Sequence, residues 1–213
     1  MRLICLTLAL SAGMTLPASA EEDAGSYLAA RSAMISSDYR EASQYFARAL
    51  VRDPSNLALL ENAVTAYIGL GDLDRAAAVA ARARSAGSDG QLPALVLLGQ
   101  QARDGEWQTL LSGLDDGLTV GPLFDGLARA WSLVGTGELS RALEAFDQVA
   151  SNQGVESFGL YHKALALSSV GDFESAAEIL SGEGGTQLRL SRRGVVAYAQ
   201  VLSQLERNDT ALE

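Results

Sequence analysis

Apolar residues recur at a helical spacing through most of the chain. Within each apolar stretch they lie three or four residues apart, which places them on one face of a helix. No stretch combines sustained apolar-polar alternation with enrichment in β-branched residues, the pattern of a strand. The pattern therefore predicts an all-α chain. Two of the predicted faces consist of Leu60, Ala63, Val64 and Tyr67, and of Leu160, Ala164 and Leu167.

A three-residue turn signal interrupts this pattern at nearly constant intervals. Each copy has a small residue, an acid and a large apolar or aromatic residue. The intervals between successive copies are equal, except that the third is slightly shorter. A period of about 34 residues that holds two helices is typical of a helical solenoid. The five copies begin at Ser37, Gly71, Gly105, Gly137 and Gly171.

Each position of the signal has a predicted role. Glycine tolerates the left-handed conformation that closes the first helix of a unit. The acid can accept hydrogen bonds from the free N–H groups at the start of the second helix. The large residue is predicted to anchor the turn in the groove between the two helices.

The second helix of each unit carries two further recurrent positions. A small residue four positions after the acid lets neighbouring helices approach closely, and a larger residue four positions later lies on the same face. The first set is Ala42, Ala76, Leu110, Ala142 and Ala176, and the second is Phe46, Ala80, Leu114, Phe146 and Leu180.

These features resemble the tetratricopeptide repeat (TPR) family. The match is clearest from Tyr27 to Pro54, where Asp38-Tyr39, Ala42, Phe46 and Ala49 stand at the family's offsets. The resemblance implies a right-handed superhelical solenoid of antiparallel helix pairs, with a degenerate third unit. The predicted units are about 23–56, 57–90, 91–122, 123–156 and 157–190, with a partial sixth unit at 191–213.

The sixth unit has its first helix, and Ala211 stands at the small-residue position of the second. A solenoid normally needs a polar cap over its last apolar face. Two interpretations stay open: the natural chain continues past Glu213, or the last helix is short.

The first 20 residues have the pattern of a secretory signal peptide. Arg2 precedes an apolar run from Leu3 to about Leu16, and Ala18-Ser19-Ala20 supplies a cleavage site. An uncleaved anchor is the alternative, although the run is shorter than the roughly 20 residues that span a bilayer. Export to the periplasm or the medium is the prediction. The only cysteine, Cys5, lies inside this segment, which suits an oxidising compartment.

Removing 20 of the 213 residues leaves 193, and losing Arg2 shifts the formal net charge from −10 to −11. An acidic surface argues against binding to nucleic acid or to anionic membranes. Nothing after residue 20 is apolar for long enough to span a membrane.

Catalytic and metal-binding patterns are weak. His162 is the only histidine, no serine lies in a G-x-S-x-G elbow, and no glycine-rich loop leads into GK[ST]. Asp115-Asp116-Gly117 lacks the spaced acids of a calcium loop. Glu61 and Glu178 are interpreted as solvated helix positions. The sequence predicts neither an enzyme nor a cofactor or metal site.

The family resemblance implies that the first helices line a concave groove for a peptide or a partner helix. Aromatic residues are enriched at binding hot spots, and the basic set of the family's carboxylate clamp is missing. Further groove positions implied are Met34, Glu61, Thr65, Ile68 and Leu165. The predicted partner-binding residues are Tyr27, Arg31, Asn62, Phe124, Leu127, Trp131, Phe158, Tyr161 and His162.

The leading hypothesis is an exported scaffold that binds a protein or peptide partner, with envelope assembly as a setting. One alternative is the recognition arm of a longer enzyme that acts on cell wall or polysaccharide. Another is self-association through an open apolar end at Tyr198, Val201 and Leu202.

Overall fold

A computed structural model describes residues 19–182, 191–207 and 209, with side chains described from residue 25 onward. Within these residues the chain forms eleven α-helices and no strand, which confirms the all-α prediction. The helices are α1 (Ser19–Ile35), α2 (Tyr39–Arg52), α3 (Leu57–Gly69), α4 (Leu73–Ser85), α5 (Gln91–Arg103), α6 (Trp107–Asp115), α7 (Pro122–Gly135), α8 (Leu139–Ala150), α9 (Glu156–Ser169), α10 (Phe173–Ser181) and α11 (Arg192–Gln204).

The helices pack in sequence order as a solenoid. From α1 to α10, each helix contacts the next one along the chain, and the short connections between these ten helices make neighbours antiparallel. Helix α11 contacts α9 and α10. The odd-numbered helices, called first helices below, also contact one another, as α3 with α5, α7 with α9 and α9 with α11. The even-numbered helices are the second helices. The core is a series of clusters along the chain, the first from Ala30 to Val96 and the last from Ala164 to Val201.

A residue in the left-handed conformation ends each of the first helices from α1 to α9, as the turn signal predicts. Ser37 has φ 58°, and the four glycines of the signal have φ between 71° and 85°. The backbone N–H of the acid that follows donates to the carbonyl five residues earlier, as from Asp72 to Tyr67 at 2.9 Å. This is the hydrogen bond of a Schellman motif. Glu206 closes α11 in the same way, with φ 59° and a bond from Arg207 N–H to the Leu202 carbonyl.

The acid of the turn caps the second helix in three of the five pairs. Asp38, Asp72 and Asp172 accept a hydrogen bond from the N–H three residues later, at 3.0 to 3.1 Å. Glu106 and Glu138 make no such bond, so the capping prediction is wrong for these two. The glutamate side chain is one methylene longer and is not a preferred N-cap. The Glu138 carboxylate accepts from Arg141 and Thr136 instead.

The small-residue positions of the second helices are buried. Ala42, Ala76, Ala142 and Ala176 are fully buried, and Leu110 is almost so. Four residues later, the Phe46 and Phe146 side chains are completely buried, whereas Leu114 in the degenerate third pair is only half-buried. The predicted sixth copy, Ala211, lies outside the described residues.

The aromatic residue of the turn contacts the next helix pair. Tyr39 lies against Gly69, where a Cβ atom would be 2.4 Å from the tyrosine ring. Trp107 lies against Gly135, where a Cβ atom would be 2.5 Å from the indole. The turn signal predicts an anchor within one pair. The structure shows instead that at these two positions the aromatic residue joins successive pairs.

Helices α8 and α9 approach most closely at Gly159. A Cβ atom there would be 2.5 Å from the backbone nitrogen of Ala150 and 2.8 Å from its Cα. Real Cβ atoms essentially never lie that close to another heavy atom. Glycine at 159 therefore sets the position of α9 relative to α8. None of the helices in the described part of the chain combines the length and apolarity that a membrane span requires.

Gly159→Ala is expected to lower the free energy of unfolding, and Gly99→Ala to raise it. In a helix interior, alanine raises the free energy of unfolding by about 1 kcal/mol relative to glycine. A Cβ atom at Gly99 would meet no heavy atom within 4 Å, so this gain should be realised there. At Gly159 that gain is outweighed by overpacking against backbone, which typically costs about 1–3 kcal/mol. Urea unfolding followed by circular dichroism measures both, and equal stabilisation of the two variants would contradict the close approach.

Candidate functional site

Exposed large apolar side chains concentrate on the first helices. Within the described residues, nine of the eleven such side chains lie there, and only Val51 lies on a second helix. The remaining one, Val170, directly follows α9. The second helices thus bury their apolar faces, while the first helices retain an accessible one. These nine residues are Leu28, Ile35, Leu57, Ile68, Leu95, Phe124, Phe158, Val195 and Val196.

Four aromatic rings from α7, α8 and α9 form a cluster, called the aromatic cluster below. The Trp131 ring meets the buried Phe146 ring edge-on with centroids 5.6 Å apart. The His162 ring lies 6.1 Å from Trp131 and 5.4 Å from Tyr161, also edge-on. Such pairs contribute about 0.5–1.5 kcal/mol each beyond the area that they bury. The structure therefore brings together the predicted residues Trp131, Tyr161 and His162, with Leu127 packed beside them.

The protonation state of His162 follows from its hydrogen bond. The indole Nε1–H of Trp131 donates to His162 Nδ1 at 3.0 Å. Because an indole nitrogen can only donate, Nδ1 must be the acceptor and the imidazole carries its proton on Nε2. Burial, which disfavours the charged form, lowers the pKa of His162. His162 is thus a neutral ring that holds α9 to α7.

An open groove separates α9 from α11 and is called the α9–α11 groove below. Two adjoining cavities of about 380 and 450 Å³ form it, and they share Leu165, Ala197 and Gln200 on their walls. Tyr161 of the aromatic cluster lines the first cavity, so the groove and the cluster adjoin. The other lining residues are Arg192, Arg193 and Val196 in the first cavity, and Ser168, Phe173, Val201 and Gln204 in the second.

A smaller pocket of about 300 Å³ lies near the other end of the solenoid. Tyr27 lines it, together with Asn56 and Leu59 at the start of α3. Arg31 Nη1 donates to the Tyr27 hydroxyl at 3.4 Å, so these two predicted residues lie together. They belong to the first pair and are far along the chain from the aromatic cluster.

The predicted groove positions on α3 have mainly local roles. The Asn62 side chain donates to the Ala58 carbonyl of its own helix at 2.6 Å, and Thr65 donates to the Glu61 carbonyl at 3.0 Å. Glu61 is not a solvated position as predicted. Its carboxylate accepts a 2.6 Å hydrogen bond from the buried Ser88 hydroxyl and thereby fixes the loop before α5.

The remaining predictions divide between core and surface. Met34 packs against the first core cluster, whereas Ile68 and Glu178 are exposed. Phe124 and Phe158 have 36% and 50% of their surface accessible. The apolar end expected at Tyr198, Val201 and Leu202 is not open: Val201 and Leu202 are buried, and Tyr198 packs with α9 and α10.

Several exposed or groove-lining residues of the first helices are not among those predicted from the sequence. They are Leu95 on α5 and Arg192, Arg193, Val196 and Gln200 on α11. The repeat register could have found three of them, because Leu95 lies one repeat period after Glu61, and Val196 and Gln200 lie one period after Tyr161 and Leu165. They were missed because α5 belongs to the degenerate unit and α11 to the partial one.

The described residues, 19–182, 191–207 and 209, contain no group of three His, Cys, Asp or Glu side chains placed to hold a metal ion.

Comparisons with known proteins agree on the architecture. Residues 33–98 match the family model described as tetratricopeptide repeat. The structure of YrrB, described as a TPR protein with an unusual peptide-binding site, is 15% identical, with a TM-score of 0.66 over 86% of this chain and 95% of that chain. A structure of the MamA protein is 14% identical, with a TM-score of 0.62 over 90% of this chain and 96% of that chain.

A second MamA structure, 15% identical, gives a TM-score of 0.59 over 85% of this chain and 96% of that chain. No curated protein sequence matches this chain. At these identities the likeness concerns the fold, and it extends over most of the chain, whereas the family model matches its first part. The protein therefore has the fold of a tetratricopeptide-repeat solenoid, and its residues 33–98 match the model of that family.

Proposed function

We propose that the protein is a non-catalytic scaffold that holds a segment of a partner protein on the face formed by its first helices. The observation that carries this proposal is the segregation of exposed apolar side chains onto those helices. Burial of apolar surface is the main favourable term in most protein association, so these accessible side chains are the ones a partner would cover. The fold is typical of interaction modules, and the similar YrrB is described as having a peptide-binding site.

The aromatic residues on this face have different parts in the proposal. Phe124 and Phe158 are accessible and supply apolar anchors. Trp131 is held between Phe146 and His162, so its main role is to fix α7 against α8 and α9. Replacing Trp131 would therefore disturb the scaffold itself, and the exposed phenylalanines are the better positions for a binding test.

We also propose that the protein is exported, with residues 1–20 removed as a signal peptide. The basic residue, apolar run and small-residue cleavage site support this. Helix α1 begins at Ser19, two residues before the proposed new terminus at Glu21, so cleavage would remove only its first two residues. An exported scaffold of this kind would act in the assembly of the cell envelope.

Phe124→Ser/Phe158→Ser is expected to abolish capture of a partner without unfolding the protein. Phe158 has 50% and Phe124 36% of its surface accessible, so each ring has area free to contact a partner, and a truncated hot-spot residue typically costs about 2 kcal/mol or more of binding energy. The full chain would be expressed in its source cells, crosslinked and purified, and captured proteins would be identified by mass spectrometry.

Val51→Ser is the matched control, because Val51 is 82% exposed on a second helix. It should capture the same proteins as the wild type, and circular dichroism should show unchanged helix content in all three. A partner that the double variant retains and the Val51 variant loses would contradict the assignment of the face.

The free energy of unfolding is expected to fall below about pH 6.5, in part because of His162. Its pKa in the folded chain is lowered, whereas in the unfolded chain the pKa is near its usual value of about 6.5. The unfolded state therefore binds more protons as the pH falls through this range, which destabilises the fold. His162→Gln should lose less stability than the wild type between pH 7 and pH 5. Equal losses in urea titrations would show that His162 is not held neutral.

Intact-mass analysis of the protein purified from its source cells tests the export proposal. Cleavage after Ala20 predicts a chain that begins at Glu21 and lacks the first 20 of the 213 residues. Ala18→Arg/Ala20→Arg should block cleavage, since small residues are required at both positions. A purified chain that begins at Met1 would contradict cleavage of the signal.

A further inference from the structure

We propose that the hydrogen bond between Trp131 and His162 is an acid-sensitive link that regulates the face formed by the first helices. Protonation of the imidazole breaks this link and lets α9 move relative to α7. The link restrains the spacing of Phe124 and Phe158, the two apolar anchors, so its loss weakens the hold on a partner. Only this last step rests on the proposed function, because the acid sensitivity of the link follows from the two rings alone.

The chemistry of the two rings makes the link depend on protonation. The indole nitrogen of Trp131 can only donate, and it donates to His162 Nδ1 at 3.0 Å. A protonated imidazole carries a hydrogen on both nitrogens, so it has no acceptor left for the indole. Two N–H groups would then oppose each other across the contact. The charged form of His162 therefore cannot keep the link.

The surroundings of the link offer no substitute partner for the charged form. One helical turn to either side of Trp131, Phe146 and His162, every residue is apolar or glycine, and residues at this spacing share a helix face. The rings of Trp131 and Tyr161 contact the imidazole edge-on. Burial in these surroundings lowers the pKa of His162, so the link breaks only below about pH 6.5.

Charged groups on the neighbouring helices do not compensate an imidazolium. Lys163 takes up the Asp147 carboxylate at 2.7 Å, and the acids of α10 are exposed to solvent. No carboxylate in the described part of the chain forms an ion pair with His162. The charged residues closest in sequence to the three rings are Arg129, Asp147 and Lys163, those of α10 are Glu174 and Glu178, and those of α11 that line the cavity beside Tyr161 are Arg192 and Arg193.

The link lies beside the two accessible phenylalanines. Phe124 and Phe158 occupy equivalent positions on α7 and α9, one repeat period apart. Phe158 lies one turn before His162 on the same face of α9, and Phe124 lies two turns before Trp131 on α7. Because the link joins α7 to α9 next to these anchors, it restrains the distance between them. A partner that contacts both rings gains from this restraint, since less freedom is lost on binding.

Other contacts of α9 do not depend on protonation and limit the change. Gly159 lies against the backbone of Ala150 on α8. Ala164 and Leu167 are buried in the cluster that α9 shares with α10 and α11. The acid form is therefore a folded solenoid in which the contact between α7 and α9 is loosened.

The test is NMR spectroscopy of the isotope-labelled full-length chain from about pH 7.5 to about pH 5, a range that spans the usual pKa of histidine. The chain has two tryptophans and one histidine, so Trp107→Phe identifies the indole N–H signal of Trp131. That signal should move upfield with the same midpoint as the His162 ring protons, because the indole proton loses its acceptor. The Trp107 signal of the wild type is the internal reference.

Hydrogen exchange followed by mass spectrometry measures the loosening of α9. After correction for the intrinsic pH dependence of exchange, α9 should exchange about two- to tenfold faster in acid, as expected for one lost hydrogen bond. Helix α3 should not change. His162→Asn is the matched control, because its amide oxygen can accept near the position of Nδ1 and does not titrate. In this variant neither the indole signal nor α9 exchange should depend on pH, and circular dichroism checks its fold.

Three results would overturn the acid-sensitive link. The indole signal could stay in place while His162 titrates, the wild type and the Asn variant could change equally, or α9 exchange could fail to follow the titration. Each of these results is obtained without a partner, so it is independent of the proposed function.

Regulation is measured with a protein that the wild type captures and Phe124→Ser/Phe158→Ser loses. Its dissociation constant should rise about two- to tenfold in acid for the wild type and stay constant for His162→Asn. An equal rise for both would remove the regulatory step and leave the proposed function standing. If the phenylalanine variant loses no captured protein, the proposed function fails together with the regulatory step, whereas the NMR result still decides the link.

Discussion

The architecture depends on one backbone hydrogen bond, which recurs at the ends of the first helices from α1 to α11. A residue with positive φ reverses the chain, and the next N–H reaches back to the carbonyl five residues earlier. This closure satisfies end carbonyls that would otherwise lack partners. It also fixes the direction in which the second helix leaves the turn. Because the same bond forms once in each repeat, successive pairs start from similar geometry and stack.

Stacking gives the two kinds of helix different surfaces. The second helices pack through one face that combines small residues such as Ala42 and Ala142 with large ones such as Phe46 and Phe146 four positions later, and little apolar surface is left over. The first helices contact more distant neighbours and keep apolar side chains accessible. Their exposed faces are the natural place for a partner to replace water, since burying apolar surface is the main favourable term in association.

The aromatic cluster links this packing to the candidate binding face. Trp131 and His162 join α7 to α9 through an indole-imidazole hydrogen bond, and Tyr161 extends from the same turn of α9 into the α9–α11 groove. One side of the groove is thus lined by a residue of the aromatic cluster. Preorganisation of this kind reduces the entropy lost when a flexible segment binds. The arginines on the opposite wall supply the charge that a purely apolar groove would lack.

The helical class, the period and the five turns could be predicted from the sequence, because they depend on local properties: glycine at positive φ, an acid after it, and apolar residues three or four positions apart. The sixth turn, where Glu206 adopts the glycine conformation, could not. The failure of Glu106 and Glu138 to cap is itself a local property, because glutamate is not a preferred N-cap residue.

Packing between repeats decided which aromatic residues of the first helices are held in place and which are accessible. Trp131 and Phe124 stand on the same helix, yet Trp131 is held by Phe146 and His162, whereas Phe124 keeps 36% of its surface accessible. The same packing buried Val201 and left Arg192 beside an apolar groove. Burial depends on neighbours from other repeats, and no local pattern in the sequence specifies those neighbours.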